Sequence, residues 1–359
     1  MKRAVLCVPN PQDYIDQLTD YSIMIVNPDS PDSRKQYLLD RADWSLKISS
    51  DGHEYRSGND YADERLFWYT SGTTGDSKFC SFTQSQLDHL AHTICRAYNI
   101  TSDDRYVSIM PLWHAHGQGF YWASRLAGCK TNFVTIKNIK NIVEYAPTFI
   151  TAVPDVLNVI GRFKFDNLRF IRSASAALPD QLYCDLRTKF NVPVIEAFGM
   201  TESLSHCFTN PLYGEQRMGT IGFPDGIDAD IIDTRLYIRG TTLFTNDWYD
   251  TGDLAQRDND GYYKIIGRFK DQINIKGIKI NPVSIEQQLL AAIPEIQHCV
   301  IFGNNQVKCL IVGDVAHNKI QNFLTSLGKH CRASQIQVVD SIPISPSGKV
   351  SRSWLDTNY

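Results

Sequence analysis

The chain has 359 residues, of which 43% are hydrophobic and 21% charged, with a net charge of −3. That length supports a sizeable core and two or more domains, and the balance is that of an ordinary globular protein, with no support for a nucleic-acid partner. No apolar run approaches the roughly 18 residues of a membrane span, and the opening MKRAVLCVPNPQDY is too short in apolar residues for a signal peptide, so a cytoplasmic setting is expected. Nine cysteines without a CxxC pair read as reduced thiols rather than a disulfide framework.

In chain order, YSIMIVN reads as a strand, RKQYLLDRA as a helix, and WSLKIS and RLFWYT as further strands. YTSGTTGDSK, from Tyr69 to Lys78, has too many glycines and β-branched residues for a helix interior and too little apolar surface to pack, so it reads as a loop. FTQSQLDHLAHTICRAY then carries Leu87, Leu90, Ala91 and Ile94 at helical spacing, and RYVSIM and FDNLRFIRSAS continue the strands. The alternation predicts an α/β domain with a mostly parallel sheet. After about Gly214 short alternating strands with Gly and Asp turns predict a small β-rich subdomain, with DNDG at 258–261 as a hairpin turn. From Lys270 a strand pair, an amphipathic helix opened by Asn281 and Pro282, two strands, a helix and a last strand predict a compact α+β unit. The expected division is therefore 1–269, with the β-rich part at about 214–269, and 270–359.

Several stretches have the residue types that phosphate and ribose chemistry needs. Strand, glycine loop, helix is a phosphate-cradling order: Gly72 and Gly75 let backbone N–H groups approach an anion, Ser71, Thr73 and Thr74 add hydroxyls, and Lys78 adds charge. The loop lacks GxxxxGK[ST] spacing, and taken alone it is also an ordinary surface linker. EAFGMTES follows the buried run VPVI, so Thr201 and Glu202 should stand at the C-terminal edge of a parallel sheet, where ligands bind. There Glu202 is a candidate magnesium ligand; a plain helix cap is the other reading. YDTGDLA puts Asp253 after a tight turn, able to accept from a ribose diol or to be merely a turn. GRFKDQINIKGIK is basic and glycine-rich, as a solvated face also would be. ISPSGKVSR sets Lys349 on a loop, by default exposed. His114 and His116 of PLWHAHG lack a nearby acid or thiol that would make a metal site.

Together YTSGTTG, FGMTE, YDTGD, GRxKDxI and SGKxxR, in that order, resemble the core motifs of the adenylate-forming superfamily: acyl- and aryl-CoA synthetases, nonribosomal peptide synthetase adenylation domains and beetle luciferases. The resemblance runs from about Val26 to Arg352. It implies ATP-dependent activation of a carboxylic acid to an acyl-adenylate, release of pyrophosphate, and transfer to a thiol of CoA or of a carrier-protein phosphopantetheine. On that resemblance Ser71, Gly72, Thr73, Thr74, Gly75 and Lys78 hold the β- and γ-phosphates, Glu202 holds Mg²⁺, and Thr201 meets the α-phosphate. Ser175, Ala176, Ala177, Phe198 and Gly199 line the adenine, and Asp253 binds the ribose with Arg268 assisting. Lys349 is the mobile catalytic lysine and Lys270 the hinge. Gly277, Lys276 and Lys279 border the thiol tunnel, and Trp113 and His114 border the acyl pocket. No Asp in PLWHAHG answers a substrate ammonium, so a non-amino acid, aryl or acyl, is expected.

The chain also departs from the pattern. Only 68 residues precede Tyr69, so most of the family's first subdomain is expected to be absent, replaced by a partner chain or dispensable. Ser77 stands where a proline is common and Asn274 where a basic residue is common. Carrier-protein loading instead of free CoA, and a catalytically degenerate nucleotide-binding scaffold, are the alternatives.

Overall fold

A computed structural model describes residues 2–7, 11–15, 17, 18, 20–26, 30, 32–42, 45–49, 52–56, 63–69, 78–343 and 350–359. The chain divides into two units: 1–229 with 238–249 and 258–263, and 230–237 with 250–257 and 264–359.

The first unit opens with β1 (Lys2–Cys7), α1 (Gln12–Ile15), β2 (Tyr21–Ile25), α2 (Asp32–Arg41), β3 (Leu46–Ser49), β4 (Gly52–Tyr55), β5 (Glu64–Tyr69) and β6 (Phe79–Thr83). They form a six-stranded sheet in the order β4-β3-β1-β2-β5-β6, parallel at β1–β2, β1–β3 and β2–β5 and antiparallel at both edges. The apolar run near the N-terminus is the inner strand β1, its residues from Arg3 to Cys7 buried. The strand, loop, helix order expected around Lys78 is corrected: the glycine-rich segment joins β5 to β6 as an antiparallel pair, Tyr69 opposite Phe79, and only then does α3 (Gln84–Tyr98) begin. Thr83 caps α3, reciprocally with Gln86, so two of the N–H groups at the helix N-terminus are taken by the helix's own capping box.

A seven-stranded sheet follows. β7 (Arg105–Ser108), α4 (Ala115–Ala127), β8 (Lys130–Phe133), β9 (Phe149–Ala152), α5 (Pro154–Ile160), β10 (Phe170–Ser173), α6 (Asp180–Phe190), β11 (Val194–Phe198), β12 (Phe208–Thr209) and β13 (Phe223–Pro224) give the order β13-β12-β11-β10-β9-β7-β8. All pairs from β8 to β11 are parallel, as the βαβ alternation predicts. Alternation along the strands assigns the two faces. Phe149 and Phe170 stack at 5.1 Å and pack with Leu90, Ile94, Tyr98 and Phe120 of α3 and α4, while Ile150 and Ile171 face Leu157, Ile160 and Leu186 of α5 and α6. The N-terminal ends of β7, β9 and β10 are tied by buried Asp104, which accepts from Thr148 Oγ1 at 2.6 Å and from Arg169 Nε and Nη2 at 2.9 and 2.8 Å. The clamp therefore sits at the strand ends away from the ligand edge of such a sheet.

β14 (Asp228–Ile232), β15 (Arg235–Arg239), β16 (Tyr249–Arg257) and β17 (Tyr263–Arg268) form a four-stranded sheet in that order, its residues shared out between the two units. The DNDG turn closes with Gly261 N–H on Asp258 O at 3.1 Å and Gly261 at φ +92°. In the second unit β18 (Ile273–Ile275) and β19 (Ile278–Ile280) make a hairpin, and α7 (Pro282–Ala292) starts at an Asn281 cap with Pro282 at its first turn. β20 (Ile296–Phe302), β21 (Val307–Gly313) and β22 (Ala333–Val338) form a three-stranded sheet. Ile285 and Leu289 of α7 and Ile320 and Leu324 of α8 (His317–Ser326) cover one face with Ile301 and Ile311, and Leu355 of α9 (Arg352–Asn358) packs on Val300, Phe302 and Leu310.

Candidate functional site

Three of the sequence motifs meet in the first unit. Lys78, exposed at the start of β6, donates to Tyr249 Oη at 2.9 Å, and Tyr249 Oη donates to Glu202 Oε1 at 3.3 Å. Glu202 sits in a 3-10 turn, Thr201–Ser203, directly after β11, and its carbonyl accepts from Phe244 N–H at 3.0 Å. Phe244 holds Tyr249 by an edge contact at 5.4 Å. The turn depends on Gly199, where a Cβ would lie 2.0 Å from Ser205 O, so only glycine lets the chain double back. Phe198, half-buried at the end of β11, contacts Phe208 edge-on at 6.0 Å. Cys80, buried beside this chain, is pushed up to about 12 by burial and then by the Glu202 charge, against Lys78, so it is no nucleophile at neutral pH.

A second group lies at the C-terminal ends of β9 and β10. Ser175, Ala176 and Ala177 are exposed, with Ser175 at φ +74°, and Ser175 Oγ lies 3.1 Å from His116 Nδ1. His116 Nε2 lies 2.8 Å from Thr151 Oγ1 and 3.1 Å from Arg172 Nη1. His114 is exposed at the N-cap of α4 without a side-chain cap, and Trp113 is half-buried. Gly117 fits the turn into α4 because a Cβ there would meet Pro111 O at 2.4 Å. Burial, then Arg172 and His114, hold His116 well below the usual histidine range. Its neutral ring accepts from Arg172 at Nε2 and donates from Nδ1 to Ser175.

In the second unit Asp253 is buried, its Oδ1 2.9 Å from Arg268 Nε, and its backbone N–H donates to Thr251 Oγ1 at 3.0 Å. Arg268 is half-exposed. Lys270 lies in a 3-10 turn, Phe269–Asp271, and burial holds its ammonium below the usual lysine range, against Asp271 and with Arg268. Lys276, Gly277 and Lys279 are exposed on the β18–β19 hairpin, with Gly277 at φ +89° and Lys279 over the Phe269 ring at 4.7 Å. Arg352, the last residue of the SGKxxR motif, pairs with both oxygens of Glu286 at 2.8 Å and donates from Nε to Ile301 O at 3.0 Å.

Ser71, Gly72, Thr73, Thr74, Gly75 and Lys349 lie outside the described residues. Tyr249 and Arg172 were not singled out from sequence, and His116 was weighed there only as a metal ligand. Tyr249 opens the YDTGD motif yet was given no role, and His116 stands two positions after His114. Arg172 was signalled by a lone charge inside the apolar strand FIRS. Among the described residues no three His, Cys, Asp or Glu gather as a metal cluster, and no helix is long and apolar enough to cross a membrane. Glu202 nonetheless suits a hard cation bound with phosphates: it is a half-buried carboxylate, and the hydrogen bond from Tyr249 uses one of about four acceptor positions.

A family model described as AMP-binding enzyme matches residues 12–244. The chain belongs to the AMP-binding enzyme family. Relatives within reach of sequence comparison are an oxalate–CoA ligase of Arabidopsis thaliana, 29% identical over 81% of this chain and 66% of its own length, and a sulfoacetate–CoA ligase of Cupriavidus necator, 28% identical over 80% and 65%. The chain spans about two thirds of the length of the curated relatives it matches. The O-succinylbenzoate coenzyme A synthetase of Bacillus subtilis, solved in complex with ATP and magnesium ion, superimposes with a TM-score of 0.83 over 99% of this chain and 89% of that one, at 20% identity. That likeness shows the adenylate-forming fold for this AMP-binding enzyme.

Proposed function

We propose that this AMP-binding enzyme activates a carboxylic acid with ATP and passes the acyl group to the thiol of CoA. The observation that carries the reading is the line from Lys78 through Tyr249 to Glu202, in which residues from three separate motifs converge on one hydroxyl. The relatives' names support an acid–CoA ligase, and the acids in them, oxalate and sulfoacetate, are short and carry a second acidic group.

In this reading one carboxylate oxygen of the acid attacks the α-phosphorus and the bond to the β-phosphate breaks, releasing pyrophosphate. Both partners are anionic, so the step needs fixed positive charge and dipoles at the phosphates. Lys78 supplies a cation at the mouth of the glycine segment, and Tyr249 orients both it and Glu202. Magnesium, held by Glu202, neutralises phosphate charge when bound. Asp253 receives the ribose hydroxyls, its carboxylate aimed by Arg268 and by the Thr251 turn. Lys349 stabilises the charge that develops between carboxylate and α-phosphate. In the second step the thiol attacks the acyl carbon and AMP leaves, with the hairpin of Lys276, Gly277 and Lys279 beside the thiol's path and Lys270 as the hinge of the rotating C-terminal part.

The test separates the two steps. The enzyme is expected to catalyse acid-dependent ATP–pyrophosphate exchange, and Lys349→Ala is expected to lower that exchange at least about a hundredfold while still converting preformed acyl-adenylate and CoA to thioester. Exchange that survives in Lys349→Ala, or its absence over a broad panel of acids, contradicts the reading.

A further inference from the structure

Among the described residues the largest fully buried side chain is a cation. Arg172 on β10 is 1% exposed and pairs with no carboxylate among the described residues. Its Nε donates to Tyr98 Oη at 2.8 Å and its Nη1 to His116 Nε2 at 3.1 Å and Thr151 Oγ1 at 3.3 Å, all neutral groups. Its Nη2 is buried and has no hydrogen-bond partner. Aromatic faces offset only part of the charge: Phe120 lies 5.0 Å and Tyr98 5.9 Å from the guanidinium carbon.

The acids nearby are engaged or face away. Asp225, whose charge reaches Tyr98, is bound by Arg96 and His206 at 2.8 Å each, and exposed Arg96 already balances it. Glu196 stands opposite Ser173 in the β10–β11 register, so it points to the other face of the sheet from Arg172. Leaving a buried guanidinium without a counter-charge is costly, and an anion brought beside it would relieve that cost. Ser175, exposed at the strand ends, is linked to Arg172 through His116 alone. The same helix start carries Trp113 and His114, the expected wall of the acyl pocket.

We infer that Arg172, with His116 and Thr151, reads a second anionic group at the far end of the acid, so that the preferred substrates are dicarboxylates or carboxylates bearing another acidic group. His116 is the fitting neighbour because, held neutral, it adds no competing charge and fixes the guanidinium by accepting from Nη1. The inference rests on the ligase reading above and names its substrate class.

Matched pairs of equal chain length test it: propionate with malonate, butyrate with succinate and valerate with glutarate, by exchange kcat/KM and by the thermal shift each acid gives the protein. The wild type is expected to favour the diacid in at least one pair by about ten- to hundredfold, and Arg172→Met to abolish that preference while keeping exchange with the monoacid. The variant is also expected to melt no lower than the wild type without ligand, because it removes an uncompensated charge. Monoacids favoured in every pair, or equal losses for both members in Arg172→Met, would overturn the inference and leave the ligase reading standing. Exchange with no acid and no thermal shift overturns both. A variant that melts well below the wild type assigns Arg172 to the core instead, and Arg172→Lys, which keeps the charge, then decides: a retained diacid preference supports the inference and a lost one ends it.

Discussion

At the scale of single residues, the charges that matter are those the fold removes from water. Burial alone would raise Asp104, but hydrogen bonds from Arg169, Thr148 and the Thr101 N–H outweigh it and hold the carboxyl below the usual range. A depressed carboxylate stabilises the fold at any pH above its unfolded value of about 3.9, and that contribution disappears as pH falls through the folded value. Asp104→Asn should therefore cost about 2 kcal/mol at pH 7, and the gap to the wild type in urea melts should close below about pH 4. A gap that stays constant from pH 7 to pH 3 would show that the carboxylate's charge is not what ties β7, β9 and β10 together. Legibility at this scale was uneven. Lys78 and Glu202 could be put forward as candidates because few residue types serve phosphate and metal chemistry, and the structure joins them through Tyr249. Tyr249 could not, since its partners are 171 and 47 positions away and only the folded chain joins them.

At the scale of elements, most strands and helices were legible from apolar periodicity. YSIMIVN, RLFWYT, RYVSIM and the strand around Phe170 stand where expected, as do the Asn281-capped helix and the hairpin before it. Others were not, β1 and β6 among them. β1 has buried residues in an unbroken row without the alternation of a half-exposed strand, and β6 is five residues of mixed polarity that run directly into the capping box of α3. Missing β6 changed the expected order, since strand, glycine loop, helix becomes a strand pair followed by the helix. In the second unit the motif arginine Arg352 also proves to be structural: it fixes α9 to Glu286 of α7, whose carboxyl burial raises even with the guanidinium against it. Arg352→Met should strand that acid and lower the stability of the C-terminal unit by about 3 kcal/mol, read as earlier unfolding of that unit in urea followed by hydrogen exchange. Unchanged protection of β20 and α7 would show that the pair contributes little.

At the scale of the whole molecule, the chain carries the motifs here proposed to handle ATP in about two thirds of the length of its relatives. The two compact units apportion them: Lys78, Tyr249 and Glu202 to the first, Asp253, Arg268 and Lys270 to the second. The sequence could order these motifs but not show which pairs would touch, because contact depends on returns of the chain as long as the 171 positions from Lys78 to Tyr249. The most direct measurement is the nucleotide product of a complete reaction with ATP, magnesium, a substrate acid and CoA. The account predicts AMP and pyrophosphate in equal amounts to the acyl thioester; ADP and phosphate, or thioester formed without nucleotide turnover, would contradict it.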